Sequence, residues 1–324
     1  MSEPVRWGVL STARINQKVL DGAAGSDDLT VMAVASRSQA AAETYALEHA
    51  IERAHGSYDA LLADGDVEAV YISLPNALHV EWSIRALQAG KHVLCEKPLS
   101  RHASEVERAF DVAERSDRLL MEAFMYRHNP QIKRLKTLVA DGAIGRLRAV
   151  HASFGFHIGD AGDVRLSREL EGGSLLDVGC YCVSAARLLC GEPERVQAEQ
   201  VIGGDGVDVA FAGVLRFPGE VLAHFDCGFV LDKTEELVVL GEEGNLRLAD
   251  PWHCRAPGIE LRRDGKAELI AVEAANSYRL QLENLSAAIR DRETPLLGRA
   301  DALGQARAIE ALYASAEEHR AVGL

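Results

Sequence analysis

Hydrophobic positions follow two different periods over the first 125 residues. Continuous apolar runs, typical of strands buried on both faces of a parallel sheet, occur at residues 6–10, 29–35, 69–74, 92–95 and 119–122. Between them, apolar residues recur every three or four positions, which predicts helices at 15–24, 39–49, 58–64, 77–89 and 103–115. This alternation of strand and helix predicts a doubly wound parallel sheet, an architecture that commonly binds nucleotides.

The pattern changes after Tyr126. Residues 130–141 and 174–189 have helical spacing, whereas 146–157 and most of 196–272 alternate as strands joined by short turns. Such strands pair antiparallel. Two helical segments, 278–290 and 300–318, close the chain. We therefore predict an α/β protein with a cofactor-binding Rossmann domain at 1–125 and a substrate-binding α+β domain at 126–324. The second domain is expected to contain a large, mostly antiparallel open sheet.

The open sheet is predicted to be apolar on more than one face. Phe211, Leu215 and Phe217 alternate with Val214 and Arg216, so one face is apolar and the other is only partly polar. A sheet with such a second face often pairs with another copy of the same chain. We therefore expect a homodimer that forms through the C-terminal sheet.

Charge and hydropathy exclude several classes of partner. The formal net charge is −14 over 324 residues. An acidic surface repels phosphate backbones and anionic lipid, so neither nucleic acid nor membrane is expected as a partner. The start of the chain lacks the pattern of an export signal, and no apolar run reaches the ~18 residues of a membrane span. The expected location is the cytoplasm.

The six cysteines are scattered through mostly apolar segments, as is usual for reduced cytoplasmic thiols. Cys180 and Cys182 have the spacing of half a metal site, but no second pair of ligands follows at a suitable distance. Two small residues in a buried helix are the favoured interpretation, so no metal is expected.

The segment after the first predicted strand occupies the place of the dinucleotide fingerprint G-x-G-x-x-G. Ser11, Ala13 and Asn16 stand where the three glycines are usual. The physical requirement is a tight turn with small side chains and with helix N–H groups free to face a pyrophosphate. The alternative is an ordinary strand-to-helix turn with a Ser or Thr cap. The candidate cofactor residues of this loop are Ser11, Thr12, Ala13, Arg14 and Ile15.

The end of the second predicted strand indicates which dinucleotide binds. NAD-binding domains usually place an acid there for the ribose 2′-hydroxyl, whereas this chain has Ser36, Arg37 and Ser38. A guanidinium between two hydroxyls suits a 2′-phosphate, so NADP is favoured over NAD, although NAD is possible. The alternative is a solvated surface arginine.

Further candidates lie at the carboxyl end of the strand predicted at 69–74, the edge at which open α/β sheets bind ligands. Leu74, Asn76 and His79 are the candidate cofactor contacts there. Asn76 alternatively caps the following helix, and His79 alternatively has a structural role.

A lysine and a tyrosine are the candidates for the chemistry. Lys97 follows a buried strand, and Tyr181 lies in the apolar helix predicted at 174–189, four residues after Asp177. Tyrosine titrates near ~10, and one close positive charge lowers such a pKa by ~1–3 units, so a nearby ammonium makes the phenol a usable base. Asp177, predicted on the same helix face, would orient a substrate hydroxyl or hold Lys97. The alternatives are a surface lysine, a core tyrosine and a helix-terminal acid.

The order Glu96-Lys97-Pro98, then residues 122–127, then 172–181, resembles the Gfo/Idh/MocA oxidoreductase family. Within it, the chain is most similar to the branch of dihydrodiol and NADP-dependent xylose dehydrogenases, which has Tyr181 where many members have histidine. The resemblance implies hydride transfer between NADP and a sugar or vicinal diol, in an enzyme that is often dimeric. It places Lys97 at the nicotinamide and substrate, Glu96 near the nicotinamide ribose, and Arg127 near the cofactor.

Two other functions remain open. The same family includes regulators that bind a cofactor without catalysis, and oxidoreductases of the glucose–fructose type that hold their cofactor tightly. The presence of both Lys97 and Tyr181 favours a dehydrogenase.

Overall fold

The computed structural model describes residues 3–324 and divides into two compact units. The first unit runs to Ser100 and includes Ser104–Met125 and Asn276–Leu303. The second consists of Arg101–Ala103, Tyr126–Ala275 and Gly304–Leu324. The sequence placed Asn276–Leu303 with the second domain, whereas the structure packs it in the first unit. The division of cofactor and substrate binding at residue 125 stays a prediction.

The first unit is built on a six-stranded sheet, within the described residues, with the order β3-β2-β1-β4-β5-β6 and every pairing parallel. Its strands are β1 Val5–Leu10, β2 Leu29–Ala35, β3 Arg53–His55, β4 Ala69–Ile72, β5 His92–Cys95 and β6 Leu120–Glu122. Its helices are α1 Asn16–Ala23, α2 Gln39–Glu48, α3 Tyr58–Leu62, α4 His79–Gln88 and α5 Ala103–Arg115. This strand order is that of a dinucleotide-binding domain, so the predicted fold class is confirmed.

The second unit contains a nine-stranded mixed sheet, counted over residues 3–324, with the order β14-β13-β12-β11-β7-β10-β9-β8-β15. Its helices are α6 Pro130–Ala140 and α7 Cys180–Cys190. The strands are β7 Leu147–His157, β8 Arg195–Ile202, β9 Asp208–Phe217, β10 Val221–Gly228, β11 Val230–Gly241, β12 Gly244–Leu248, β13 Gly258–Arg263, β14 Lys266–Ala271 and β15 Val322–Gly323. The pairs are antiparallel except for β7 with β10, which confirms the predicted large, mostly antiparallel sheet.

Two long helices complete the chain, α8 Ser277–Ile289 and α9 Arg299–Glu318. Helix α8 packs against α1 in the first unit because Gly22 allows a close approach. A Cβ at Gly22 would lie 2.8 Å from the backbone nitrogen of Arg279. The indole nitrogen of Trp7 also donates to Ser286 Oγ over 3.1 Å. These contacts explain why this helix joins the first unit although it follows the second in sequence.

The two faces of the nine-stranded sheet differ in burial. Phe211, Leu215 and Phe217 are buried, whereas Val214 and Leu222 on the opposite face are 47% and 46% exposed. On the exposed face, the rings of His151 and His224 stack with their centroids 3.9 Å apart. Over residues 3–324, no helix is both long and apolar enough to cross a bilayer.

Candidate active site

Side chains lock the turn that follows β1. Ser11 has a φ of 122°, in the region that favours glycine, and therefore stands where the fingerprint glycine would be needed. Its Oγ accepts from the Ala13 backbone N–H over 3.1 Å and lies 2.8 Å from Ser73 Oγ. Asn16 Nδ2 donates to the Ser11 carbonyl over 2.9 Å, and Ser73 Oγ donates to Asn16 Oδ1 over 2.6 Å. Hydrogen bonds thus hold a turn in which glycines are usual.

The locked turn fits the pyrophosphate of a dinucleotide. Thr12 and Arg14 are exposed, Ala13 and Ile15 are half-buried, and α1 begins at Asn16 with Ile15 as its N-cap residue. The hydroxyl, the guanidinium and the N–H groups of the helix start are the groups that bind phosphate oxygens. Because the N-cap is Ile15, the alternative of a Ser or Thr cap does not describe this turn.

The end of β2 presents a positive charge. Arg37 is exposed, and Ser36 before it is anchored by its backbone N–H, which donates to the His55 carbonyl over 3.0 Å. Ser38 caps α2 by accepting from the Ala41 N–H over 3.5 Å. Burial raises the pKa of Tyr58, and the charge of Arg37 opposes this rise. The arrangement offers a guanidinium beside a helix start and so fits a 2′-phosphate.

The residues after β4 differ in what they can contact. Leu74 is buried, and Asn76 begins the 3-10 turn Asn76–Leu78 rather than capping α4, whose N-cap is Leu78. The ring of His79 is 1% exposed, with Nδ1 2.8 Å from the Pro98 carbonyl oxygen and Nε2 2.8 Å from that of Leu74. Burial lowers the pKa of His79. Both nitrogens face backbone, which favours the structural alternative for His79.

Three contacts hold the segment around Lys97. Tyr71 Oη donates to Glu96 Oε1 over 2.5 Å, and the Leu99 N–H donates to Glu122 Oε1 over 2.8 Å. His79 binds the intervening Pro98 carbonyl. Lys97 itself is half-buried. The residues on both sides of Lys97 are therefore held by hydrogen bonds.

Tyr278 on α8 also belongs to the surroundings of Lys97, and the sequence did not single it out. Burial raises the pKa of Tyr278, with Glu96 adding to the rise and Lys97 opposing it. The nitrogen of Lys18 lies 5.9 Å from its ring centroid. No motif marks Tyr278, because its helix reaches the first unit from the far end of the chain.

In the second unit, a buried carboxylate fixes the start of the helix that carries Tyr181. Asp208 Oδ2 accepts from Ser174 Oγ over 2.8 Å and from the Leu175 N–H over 2.7 Å. Tyr313 Oη donates to the other oxygen over 2.8 Å. Burial raises the pKa of Asp208, and these hydrogen bonds oppose the rise. Sequence patterns did not indicate Asp208, since it lies at a strand start distant in sequence from the helix.

That helix does not start as an α-helix. Leu175–Gly179 is a π-helix, and α7 begins only at Cys180. A π-turn contains more residues than an α-turn. The four residues between Asp177 and Tyr181 therefore do not make one α-helical turn, and the prediction that both side chains share a helix face does not follow from their spacing. Such π-segments occur often at functional sites.

The ring of Tyr181 lies among aromatic side chains. Its centroid is 5.6 Å from that of Tyr126, 5.5 Å from Phe154 and 5.9 Å from Trp252. Trp252 is fully buried and its indole nitrogen donates to the Ser153 carbonyl over 3.0 Å. Tyr181 is 9% exposed. The ring is held rigidly, which favours a defined position for its hydroxyl.

Arg127 contacts the same helix. Arg127 NH1 donates to Ser184 Oγ over 3.2 Å, and Tyr126 Oη donates to the same oxygen over 2.8 Å. Arg127 is half-buried. Its predicted contact with the cofactor stays a prediction.

Asp177 has a charged neighbour in the second unit. Arg165 NH1 lies 3.8 Å from Asp177 Oδ2. The other two nitrogens of Arg165 donate to the two oxygens of Asp163 over 2.9 and 2.8 Å. The Arg165 guanidinium carbon lies 5.3 Å from the ring centroid of Phe156. Asp177 is thus paired with Arg165, which the sequence patterns did not place beside it.

One group of possible metal ligands lies elsewhere in the second unit. Oxygen and nitrogen atoms of Glu235, Asp250 and His253 lie within 4.8 Å of one another. Arg255 already supplies the positive charge, since it binds Glu235 over 2.9 Å and Asp250 over 3.2 Å. Cys182 is buried, and burial raises the pKa of its thiol well above the ordinary value, so it is a poor metal ligand.

A doubly wound sheet with a phosphate-binding turn defines a dinucleotide-binding α/β protein. The family model of an oxidoreductase family with an NAD-binding Rossmann fold matches residues 5–124. The model of the GFO/IDH/MocA C-terminal domain matches residues 132–247. The chain belongs to the GFO/IDH/MocA family of oxidoreductases, as its motifs predicted.

Relatives and solved structures resemble nearly the whole chain. A D-xylose 1-dehydrogenase (NADP⁺) of Haloferax volcanii is 39% identical over 98% of this chain and 99% of its own length. A trans-1,2-dihydrobenzene-1,2-diol dehydrogenase of Danio rerio is 34% identical over 78% of this chain and 76% of its own. A 3-ketoreductase of Actinomadura kijaniata, crystallised with NADP and TDP-benzene, is 33% identical with a TM-score of 0.91, covering 96% of this chain and 98% of that one.

Crystal structures of that ketoreductase also exist for variants with one tyrosine replaced by phenylalanine or one lysine replaced by alanine or glutamate. The substituted lysine and tyrosine are separated by the same number of residues in that chain as Lys97 and Tyr181 are in this one.

Proposed function

We propose that this protein is an NADP-dependent dehydrogenase that interconverts a hydroxyl and a carbonyl group on a sugar, such as xylose or glucose, or on a vicinal diol. The observation that carries the proposal is the pair Lys97 and Tyr181, whose separation equals that of the lysine and tyrosine replaced in the related ketoreductase. The names of the three relatives support the substrate class, since each acts on a sugar, a sugar derivative or a diol.

In the proposed mechanism, bound NADP supplies the acceptor or donor of hydride at its nicotinamide ring. Tyr181 takes the hydroxyl proton in oxidation and returns a proton to the carbonyl oxygen in reduction. Lys97 favours the phenolate form of Tyr181 through its positive charge. Asp177 accepts a hydrogen bond from a second substrate hydroxyl and so orients the reacting carbon.

The choice of NADP is supported by Arg37, which is exposed at the end of β2 where NAD enzymes usually carry an acid. Ser11, Thr12 and Arg14 are assigned to the pyrophosphate, and Glu96 to the nicotinamide ribose. Asn76 is assigned to the cofactor, because it does not cap α4. His79 is assigned to holding the Lys97 segment.

We assign the active form as a homodimer that pairs through the exposed face of the nine-stranded sheet. Val214 and Leu222 are exposed on that face, beside the stacked rings of His151 and His224. All six cysteines are thiols rather than disulfides, which supports a cytoplasmic location.

The test is a substrate panel of aldoses and vicinal diols, run with NADP and NAD in parallel, with the absorbance of reduced nicotinamide as the readout. Turnover with NADP and at least one member of the panel is expected. Cofactor binding without turnover over the whole panel in both directions would indicate the regulator instead. A nicotinamide cofactor that copurifies and stays bound through turnover would indicate the glucose–fructose type.

A further inference from the structure

Arg165 has a specific position between two carboxylates. Two of its nitrogens bind Asp163 in a bidentate pair, over 2.9 and 2.8 Å, which orients the guanidinium plane. The third nitrogen, NH1, lies 3.8 Å from Asp177 Oδ2. Asp163 also accepts from the Arg165 backbone N–H over 3.0 Å, so the same carboxylate holds both the backbone and the side chain. The arginine is therefore preorganised to face Asp177.

Two phenylalanines on one side of β7 lie near Arg165 and Tyr181, respectively. The Arg165 guanidinium lies over Phe156, whose neighbour on the same side of β7 is Phe154. Phe154 contacts the Tyr181 ring with centroids 5.5 Å apart. Arg165 and Tyr181 thus each contact a phenylalanine on the same side of β7.

The negative charge of Asp177 opposes the deprotonation of Tyr181 in the proposed mechanism. A negative charge at Asp177, in the π-helix that precedes α7, disfavours the phenolate of Tyr181 that the proposed mechanism requires. The positive charge of an arginine beside that carboxylate reduces the unfavourable field.

We propose that Arg165 is a positioning residue: it holds the Asp177 carboxylate and offsets its negative charge, so that Tyr181 exchanges its proton near neutral pH. This inference rests on the proposed function, since it assumes that Tyr181 is the acid and base. It adds a role for Arg165, whose positive charge allows Tyr181 to form a phenolate although Asp177 carries a negative charge.

Other titratable groups lie on the elements packed around Tyr181 in the second unit. They are Tyr126 and Arg127 before α6, His253 after β12, and Asp163 beside Arg165. Asp163 loses its bidentate partner in Arg165→Met, so a shift of the pH profile is assigned to the Arg165–Asp177 pair only if the double variant restores the wild-type pKa.

The experiment measures kcat for oxidation against pH for four variants, using NADP and the best substrate of the panel. Arg165→Met should raise the apparent pKa of the rising limb by about one unit, and Asp177→Asn should lower it. The double variant should return close to the wild-type pKa, and Arg165→Lys should stay close to it because the charge is kept. Arg168→Met, an exposed arginine of the same loop, is the matched control and should leave the profile unchanged.

A merely structural role predicts something different. The Arg165 side chain is 39% exposed, so its shortening leaves little buried space. If Arg165→Met lowers kcat with the pKa unchanged, while Tyr181→Phe is inactive, the inference is wrong and the proposed function stands. If Tyr181→Phe turns over normally, the proposed function and this inference both fail. Arg165→Gln, which keeps a polar side chain without the charge, gives the same test if Arg165→Met does not fold.

Discussion

Arg37 and Arg14 are two exposed arginines of the first unit with different expected targets on the same cofactor. Arg37 ends β2, where only NADP carries a phosphate, whereas Arg14 adjoins the turn that faces the pyrophosphate common to both dinucleotides. Substituting each arginine separately therefore tests whether Arg37 sets the preference for NADP over NAD.

Arg37→Gln should raise the Kd of NADP roughly ten- to a hundredfold and leave that of NAD nearly unchanged. A hydrogen bond to a charged group contributes about 1.5–3 kcal/mol, and only the 2′-phosphate loses one. Isothermal titration with both cofactors measures the effect. Arg14→Gln is the control, and should weaken both cofactors alike. Equal weakening of NADP and NAD by Arg37→Gln would show that this arginine does not read the 2′-phosphate.

At this scale, the sequence predicts roles only for residues at a motif position or a strand end, and these roles stay predictions. Lys97, Tyr181 and Arg37 each occupy a motif position or a strand end. The pairing of Asp177 with Arg165 was not predictable, because residues 158–173 lack the periodicity that would position a side chain. Both nitrogens of His79 face backbone carbonyl oxygens, which favours the structural alternative that the sequence left open.

Among the elements, the helix that carries Tyr181 depends on contacts outside its own sequence. Its start is tied to the first residue of β9, Asp208, which takes three hydrogen bonds in a buried site. Gly173 is required beside it, because a Cβ there would lie 2.3 Å from Asp208 Oδ1 and its φ is +127°. The position of the π-helix therefore rests on one carboxylate.

Asp208→Asn should lower the free energy of unfolding by about 1–3 kcal/mol, because an amide cannot accept all three hydrogen bonds and leaves a buried donor unsatisfied. It should also reduce kcat severalfold with little change in the Kd of NADP, since the tyrosine helix moves and the first unit does not. Chemical denaturation and steady-state kinetics measure both. Asp205→Asn, exposed in the turn between β8 and β9, is the control. Unchanged stability and kcat in Asp208→Asn would exclude this role.

Periodicity predicted most elements, and two of the exceptions have clear physical causes. Strand β3 was missed because its three residues, Arg53–His55, are half-buried and form no apolar run. The π-helix Leu175–Gly179 was taken as α-helix, because an apolar, buried segment looks the same in both. In each case the deciding contacts come from other parts of the fold.

For the whole molecule, the proposed dimer pairs through the exposed face of the nine-stranded sheet. Val214 lies opposite His224 in the register of β9 and β10, and His224 lies opposite His151 in that of β10 and β7. A row of apolar and imidazole groups thus crosses the centre of an exposed face. In a monomer, this row would be exposed to solvent.

Light scattering at micromolar concentration should give the mass of a dimer for the wild-type chain. Val214→Asp combined with Leu222→Asp should give the monomer mass, since two carboxylates would be buried without partners in the dimer. Leu269→Asp, 72% exposed on the edge strand β14, is the control and should remain dimeric. A monomeric wild-type protein would contradict pairing through this face.

The order of the two units along the chain was predictable, but their composition was not. The grouping of Asn276–Leu303 with the first unit depends on the contact of α8 with Gly22, which has no local signature. The family, by contrast, was apparent from motifs spread over both units.

The central claim is that the hydroxyl of Tyr181 carries the proton, and the most direct test is the kcat of Tyr181→Phe with NADP and the best substrate of the panel. The variant keeps the ring and its aromatic contacts and removes only the hydroxyl. We predict that kcat falls by ~10²–10⁴, the usual contribution of a general acid or base, while the Kd of NADP stays within about twofold of wild type. A Tyr181→Phe enzyme with near-normal kcat would contradict the account.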